Sequence, residues 1–134
     1  MSEAALLRRE FQLVHQFLDE AIIDARTAAP YARVTVCEDV IINGVLGGGK
    51  PLALSTWRGQ TGLSELPPIP NPGGQCAWAS RVRIESQPFR AYASAVHAAT
   101  DAYLAERDAR RTTKTQIRVL LALLLKVSTS RAQN

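Results

Sequence analysis

The stretch CAWASRVRIE, residues 76–85, runs directly into SQPFRAYASAVHAATDAYL, residues 86–104, and the two segments have different apolar periods. In the first segment a largely apolar set of residues occupies every second position: Cys76, Trp78, Ser80, Val82 and Ile84. This period of two is typical of a half-buried strand. In the second segment apolar residues recur at helical spacing from Phe89 to Tyr103, and Pro88 stands where a first helical turn tolerates it. The sequence therefore predicts a strand that leads into a helix, with both elements in one core.

A second amphipathic pattern lies at the N-terminus. Its polar residues face away from an apolar stripe made of Leu7, Phe11, Val14, Leu18, Ala21, Ile22 and Ala25. Ser2 suits the start of a helix, because its side chain can accept a hydrogen bond from a free N–H group there. The nearby acidic residues also suit this position, because their negative charge interacts favourably with the helix dipole. We predict that this helix ends near Ala29-Pro30, since the residue before a proline disfavours helical geometry.

Three further strands are predicted between these helices. Tyr31 to Cys37 places Val34 and Val36 on one face. Val40 to Ile42 is apolar and precedes Asn43-Gly44, a strong hairpin signal. After the glycines at 47–49, the segment Leu52 to Arg58 resumes a strand pattern.

The C-terminal segment 116–127 allows two interpretations. Its leucine content favours a helix, whereas unbroken apolar alternation from Ile117 to Val127 favours a central strand buried on both faces. We predict the strand. The resulting fold class is α+β, a mostly antiparallel sheet of about four to five strands packed against two helices, in one domain over residues 1–134.

Length and composition restrict the class of protein. A chain of 134 residues suits one domain with its own core. Cys37 and Cys76 fall in strand patterns, which predicts buried thiols and synthesis in a reducing, intracellular compartment. The charged amphipathic N-terminus argues against a signal peptide, and the apolar run Val119–Leu125 is too short to span a bilayer.

The positive charge is concentrated at the C-terminus. The chain has a net charge of +4, yet no acidic residue follows Asp108, and six basic residues do: Arg110, Arg111, Lys114, Arg118, Lys126 and Arg131. This asymmetry predicts contact with an anionic partner, either nucleic acid or an acidic protein face. The alternative is a solvated basic end that keeps the protein soluble. The candidate contact residues are Arg110, Arg111, Lys114 and Arg118.

A loop rich in glycine and proline is predicted over residues 59–75. Such long loops are uncommon inside compact domains and are often functional. Its apolar residues would be left in water on a free loop, so we predict that it contacts a partner. We predict that this loop, together with the basic C-terminal segment, forms the contacts of a symmetric homo-oligomer. A flexible insertion is the alternative. The candidate contact residues are Leu63, Leu66, Pro67, Pro68 and Ile69.

One motif suggests phosphate binding. Gly44-Val-Leu-Gly-Gly-Gly-Lys50 matches the pattern G-x-x-x-x-G-K and follows an apolar run. However, Pro51 occupies the position of the magnesium-binding hydroxyl, and the glycines that follow Trp57 argue against the helix that phosphate binding requires. We therefore predict a glycine-rich turn, with no nucleotide and no other cofactor.

No catalytic or metal-binding residue is predicted from local spacing. His15 and His97 have no carboxylate or cysteine at ligand spacing, which predicts surface or boundary residues. The paired acids Asp19-Glu20 and Glu38-Asp39 are interpreted as solvated surface, as are Glu106 and Asp108. The prediction is a protein that is not an enzyme. A site assembled from residues remote in sequence is the alternative.

The order of elements resembles the tail-terminator or tail-completion proteins of long-tailed bacteriophages. The resemblance lies in Tyr31-Ala-Arg-Val34, in Leu52-Ala-Leu-Ser-Thr-Trp57, and in Trp78-Ala-Ser-Arg-Val-Arg-Ile84 leading to Phe89–Tyr103. It implies a non-enzymatic homo-oligomeric ring, commonly hexameric, that caps a tail tube and docks it to the neck of the head. It also implies assembly in the host cytoplasm, a place in the virion, neighbouring structural proteins as partners, and no membrane contact.

A different function is suggested by the basic C-terminal segment. Its arginine and lysine side chains suit contact with phosphate, as in a nucleic-acid-binding accessory protein of the bacterial cytoplasm.

Overall fold

The computed structural model describes residues 2–68, 75–109 and 121–126, and it is an all-helical fold. Before residue 110, the described residues form the α-helices α1 (Glu3–Glu20), α2 (Ala28–Asp39), α3 (Gln75–Arg81) and α4 (Ser86–Ala109). A π-helical segment, Val40–Leu46, continues α2, and a single 3-10 turn spans Leu52–Leu54. Residues 121–126 are also helical.

The predicted α+β class is wrong. The 108 described residues contain no strand, and their one strand-like pairing is an isolated antiparallel bridge between Leu63 and Ile84. Two backbone hydrogen bonds flank this bridge, from Ser64 to the carbonyl of Arg83 and from Glu85 to the carbonyl of Gly62, at 2.9 and 2.8 Å. The bridge joins the loop after residue 59 to the connection between α3 and α4.

Most of the predicted strand over residues 76–85 forms α3. Trp78, Ala79 and Val82 are buried together, and these three positions lie on one face of a helix. Because residues four apart share a face in both a strand and a helix, Trp78 and Val82 satisfied the strand pattern equally well. Ala79 distinguishes the helix from the strand, because it is buried together with its neighbour Trp78, whereas adjacent residues of a strand point to opposite faces.

The predicted strand over residues 31–37 is likewise part of α2. Pro30 is the third residue of this helix, and the first turn tolerates proline because its N–H groups have no partner within the helix. The proline therefore belongs to the start of α2, and α1 has already ended at Glu20. The buried residues are Tyr31, Ala32, Thr35 and Val36.

The remaining predicted strands are also wrong where they are described. Val40–Ile42 lies in the π-helical segment, and Leu52–Arg58 begins with the 3-10 turn and continues in turns. Residues 121–126 are helical, and the rest of the predicted strand over 116–127 lies outside the described residues.

Both predicted helices exist, as α1 and α4, but α1 ends at Glu20 and not near Ala29-Pro30 as predicted. The hydroxyl oxygen of Ser2 accepts a hydrogen bond from the backbone N–H of Ala5 at 3.0 Å, which caps the start of α1. At the other end of α1, the guanidinium of Arg90 on α4 donates to the carbonyl oxygens of Asp19, at 3.1 Å, and of Ala21. A positive charge at a helix C-terminus opposes the helix dipole, so α4 stabilises the end of α1.

The core lies around α4, which packs against α1, α2 and the π-helical segment. Arg8 on α1 forms two hydrogen bonds with the carboxylate of Asp101 on α4, at 2.8 and 2.9 Å. Near them a buried cluster joins α1, the π-helical segment and α4, and Leu123 and Leu124 pack against it. The buried members of this cluster are Ala4, Leu7, Phe11, Ile41, Ile42 and Leu104.

A fully buried carboxylate, that of Asp39, joins four separate segments. It accepts hydrogen bonds from the side-chain amide of Asn43 (2.8 Å), the backbone N–H groups of Leu52 (2.7 Å) and Ala53 (3.0 Å), and the hydroxyl of Tyr92 (2.7 Å). Burial raises the pKa of Tyr92 far above its ordinary value, so this hydroxyl keeps its proton and donates. A carboxylate only accepts hydrogen bonds, and all four of these groups donate.

Candidate functional site

Three ionisable side chains from three different helices meet in the interior. They are His15 of α1, Glu38 of α2 and His97 of α4, whose residues are 7%, 9% and 7% exposed. Nε2 of His15 lies 2.9 Å from both carboxylate oxygens of Glu38. Each of the three residues offers a potential ligand atom, and these atoms all lie within 4.8 Å of one another. We call this group the His-Glu-His cluster.

Helical periodicity explains why these polar residues are buried. His15 is four residues after Phe11, and Phe11 is four residues after Leu7, so the three lie on the inward face of α1. His97 follows the buried Val96 and lies four residues after the buried Ala93 on α4. The packing of the helices then brings the histidines to Glu38, although the three positions are far apart in sequence.

The surroundings of the cluster fix the carboxylate and stack the two rings. The hydroxyl of Thr100 donates to Oε2 of Glu38 at 2.8 Å, with the carbonyl of Val96 as a longer alternative acceptor at 3.1 Å. The imidazole rings of His15 and His97 are stacked, with centroids 3.8 Å apart and planes within 9° of parallel. Two stacked imidazolium ions would repel each other, so one positive charge suits this site better than two.

The environment of His97 favours its neutral form. Burial lowers the pKa of its imidazole, the neighbouring His15 lowers it further, and the carboxylates of Glu38 and Asp19 act in the opposite direction. Nδ1 of His97 is buried and makes no hydrogen bond with any described residue. The nearby Oδ1 of Asp19 lies 3.4 Å away.

An apolar groove of about 470 Å³ lies between α1, α2 and the helical residues 121–126. Glu38 forms part of its wall, so the His-Glu-His cluster lies directly behind it. The main apolar lining residues are Leu7, Phe11, Val14, Ile41, Leu121 and Leu124. The groove can accept an apolar group, with the carboxylate of Glu38 as its polar component.

The outward side of α1 is also apolar. Leu13 is 59% exposed and Phe17 is 73% exposed, and Leu6 is similarly uncovered. These residues recur at spacings of seven and four, so they form one row along the helix. Leu121 and Leu125 are also exposed, and Leu121 shares the groove with Leu6. We call this combination of row and groove the α1 surface.

The candidate contact residues of the predicted loop differ in how deeply they are buried. Leu63 packs against two core clusters, Pro67 is buried and Pro68 is half-buried, whereas Leu66 is exposed. Ile69 lies outside the described residues, as do all four basic candidates, Arg110, Arg111, Lys114 and Arg118. The partner contacts of both groups stay predictions.

Two local predictions about polar residues are wrong. His15 and His97 are core residues, and Glu38 and Asp39 are buried side chains rather than solvated surface. The useful signal was the position of His15 at i+4 from Phe11, on the apolar face of an amphipathic helix. For Glu38 that signal was hidden, because the segment before it was predicted to be a strand.

The glycine-rich stretch 44–50 ends the π-helical segment in a turn. The N–H groups of Gly47 and Gly49 donate to the carbonyl oxygens of Ile42 and Asn43, at 2.8 and 3.1 Å. A phosphate-binding loop needs such N–H groups to point at the ligand. The 3-10 turn after Pro51 is only three residues long.

No family model matches the sequence, and neither the curated proteins nor the solved structures contain a match. Among the described residues, no helix has both the length and the apolar character that crossing a membrane requires.

Proposed function

We propose that this protein acts as an assembly component that binds a second copy of itself through the α1 surface. The observation that carries the proposal is the exposed apolar row of Leu6, Leu13 and Phe17. The same helix is already packed in the core through Leu7 and Phe11, which also line the adjoining groove, so the exposed row is a second apolar strip on α1. A surface helix normally has one apolar face, and a second one is typical of an interface.

The composition of the α1 surface favours a second copy as the partner. A two-fold symmetric interface brings the same patch together from both subunits, so the patch must complement itself. This patch combines apolar side chains with charges of both signs, since Glu3 and Glu10 line the groove and the exposed Arg9 lies on α1 three residues after Leu6 and four before Leu13. Acidic residues of one copy can therefore meet a basic residue of the other around an apolar centre.

This proposal does not depend on the resemblance to phage tail terminators. That resemblance included predicted strands over residues 31–34, 52–57 and 78–84, none of which forms a strand in the structure, and the helix over residues 89–103, which lies in α4. A place in a head–tail neck, a ring of subunits and the contact with nucleic acid stay predictions.

The test is sedimentation of the full-length chain over a wide concentration range. We expect the natural sequence to form a dimer or larger symmetric oligomer. Leu13→Gln combined with Phe17→Gln should weaken that association at least about tenfold, since each change removes apolar area from the interface centre. Circular dichroism should show unchanged helix content, because both side chains point to solvent in the single chain.

Two matched variants locate the interface. Ile22→Gln makes the same kind of change at a residue 76% exposed and outside α1, and it should leave association unchanged. Leu66→Gln does so on the predicted contact loop. A monomer at all concentrations would contradict self-association, and loss of association in Leu66→Gln alone would place the contact on the loop instead of α1.

A further inference from the structure

We propose that the His-Glu-His cluster is a binding site for a divalent transition-metal ion of the zinc type. Its three donor residues, His15, Glu38 and His97, come from α1, α2 and α4, and their potential ligand atoms lie within 4.8 Å of one another. This inference is independent of self-association, because the cluster lies inside a single chain.

The donor set selects the class of ion. Two imidazoles with one carboxylate are a ligand set that zinc accepts, whereas calcium and magnesium prefer oxygen ligands. Three protein ligands leave one position of a tetrahedral ion for a water molecule or another small ligand.

The neighbouring residues match the supporting groups of a metal site. A metal-bound histidine commonly directs its second ring nitrogen to a carboxylate, and a metal-bound carboxylate is itself hydrogen-bonded. Here Oδ1 of Asp19 is 3.4 Å from Nδ1 of His97, and Thr100 donates to Oε2 of Glu38 at 2.8 Å. With Nδ1 directed to Asp19, Nε2 of His97 remains to bind the ion.

The unused nitrogen of His97 distinguishes this cluster from an ordinary buried ion pair. The carboxylate of Glu38 has partners in Nε2 of His15 and in the hydroxyl of Thr100. Nδ1 of His97, in contrast, is buried and forms no well-directed hydrogen bond with a described residue, although Oδ1 of Asp19 lies 3.4 Å away. A metal ion on Nε2 would strengthen the Nδ1–H donor and draw it toward Asp19.

Binding requires two local adjustments. An imidazole lone pair lies in the plane of its ring, so two parallel rings 3.8 Å apart cannot both direct lone pairs at one ion, and at least one ring has to turn. The separation of 2.9 Å between His15 Nε2 and Glu38 has to widen to about 3.4 Å, the ligand–ligand distance of tetrahedral zinc. The proton on Nε2 of His15 moves to Nδ1 of the same ring or to solvent.

The first experiment uses the full-length chain without an affinity tag and zinc ions alone. We expect one zinc ion per chain by calorimetric titration, and a melting temperature about 5–10 °C higher at a 100-fold excess of free zinc over Kd. The chain has only two histidines, so imidazole ¹⁵N resonances report directly on the site. Both rings should change their resonances on zinc addition, and a chelator should reverse the change.

Variants separate this site from other zinc ligands. His97→Phe keeps an aromatic ring beside His15 but provides no ligand, and Glu38→Gln keeps an acceptor for Thr100 without the charge. Both should reduce zinc affinity by at least about 100-fold, because losing a direct ligand should cost no less than the roughly 10- to 100-fold that losing a hydrogen-bond partner of a ligand costs. Cys37→Ser and Glu10→Gln change other residues of the groove and should leave affinity unchanged.

The outcomes are decisive even if a variant fails to fold. Imidazole resonances of the natural sequence that do not respond to zinc would overturn the proposal without any variant. Equal zinc affinity in His97→Phe, or its loss in Cys37→Ser alone, would place the ion elsewhere. The zinc titration is repeated on Leu13→Gln/Phe17→Gln, whose self-association should be weakened. Zinc binding can then be observed or lost independently of self-association, so each proposal can fail without the other.

Discussion

Gly62 occupies a position that a larger residue cannot fill without moving the backbone. Its φ is 76°, in the left-handed region, and a Cβ placed there would lie 2.7 Å from both the carbonyl oxygen of Glu85 and the N atom of Phe89. Both neighbours are backbone atoms at the start of α4, so neither can move aside as a side chain could. We expect Gly62→Ala to lower the free energy of unfolding by about 2–4 kcal/mol in urea titrations.

Gly59 is the matched control for this prediction. Its φ is 77°, but a Cβ there would meet no atom within 4 Å. Gly59→Ala should therefore lower the free energy of unfolding only by the cost of a left-handed backbone at an alanine, about 1–2 kcal/mol. Equal losses of unfolding free energy in the two variants would show that the close approach of residue 62 to α4 does not add to the cost of Gly62→Ala.

The residue scale is also where the sequence was least informative about the candidate site. His15, Glu38 and His97 are separated by 23 residues or more along the chain, so no spacing rule for ligands applies to them. Only the helix packing brings them together. What the sequence does contain is a polar residue on an apolar helix face, which predicts burial with a partner but does not identify that partner.

At the scale of elements, α1 and α4 were predictable because their apolar residues fit one period over many turns. The short helices were not. α3 has seven residues, and over such a length the positions i and i+4 fit both a strand and a helix. In α2 the proline was interpreted as the end of a helix instead of its first turn.

The helical residues 121–126 give a prediction that contrasts two adjacent leucines. Leu124 packs against the cluster that includes Leu7 and Phe11, whereas Leu125 is 66% exposed. Leu124→Ala should lower the free energy of unfolding by about 1–2 kcal/mol, and Leu125→Ala by no more than about 0.5 kcal/mol. A central strand would instead bury both.

The measurement is chemical unfolding at concentrations where the chain is monomeric, so that a contact between copies does not add to either value. A larger loss of unfolding free energy in Leu125→Ala than in Leu124→Ala would contradict the described packing of residues 121–126.

At the scale of the whole molecule, the pair of Arg8 and Asp101 connects α1 to α4, whose positions in the sequence are far apart. The hydrogen bond from Arg8 lowers the pKa of Asp101 below its ordinary value, and Gln12 adds a further hydrogen bond at 2.9 Å. Because the pKa is lower in the folded state, this pair stabilises the fold fully above the ordinary carboxyl pKa, near about 4. That stabilisation is lost as the pH falls through the lower, folded-state value.

We therefore expect Asp101→Asn to reduce the acid sensitivity of the protein. The urea midpoint of the natural sequence should fall more steeply below about pH 4 than that of the variant, at low salt, where exposed charges are least screened. Glu20→Gln, which removes an exposed acid from the end of α1, is the matched control for the loss of one carboxylate. Identical slopes in all three proteins would show that the pair contributes nothing to folding.

The carboxylate of Asp39 has a consequence for the order in which the chain folds. Its four donors come from the π-helical segment, the 3-10 turn and α4, so no two neighbouring segments alone can satisfy it. An intermediate that has packed α2 on α4 before residues 52–53 arrive would hold a dehydrated carboxylate with vacant acceptors, at a cost of about 1–3 kcal/mol or more. Such intermediates are disfavoured, and the turn is forced to form together with the helices around it. A single buried charge thereby makes folding more nearly all-or-none.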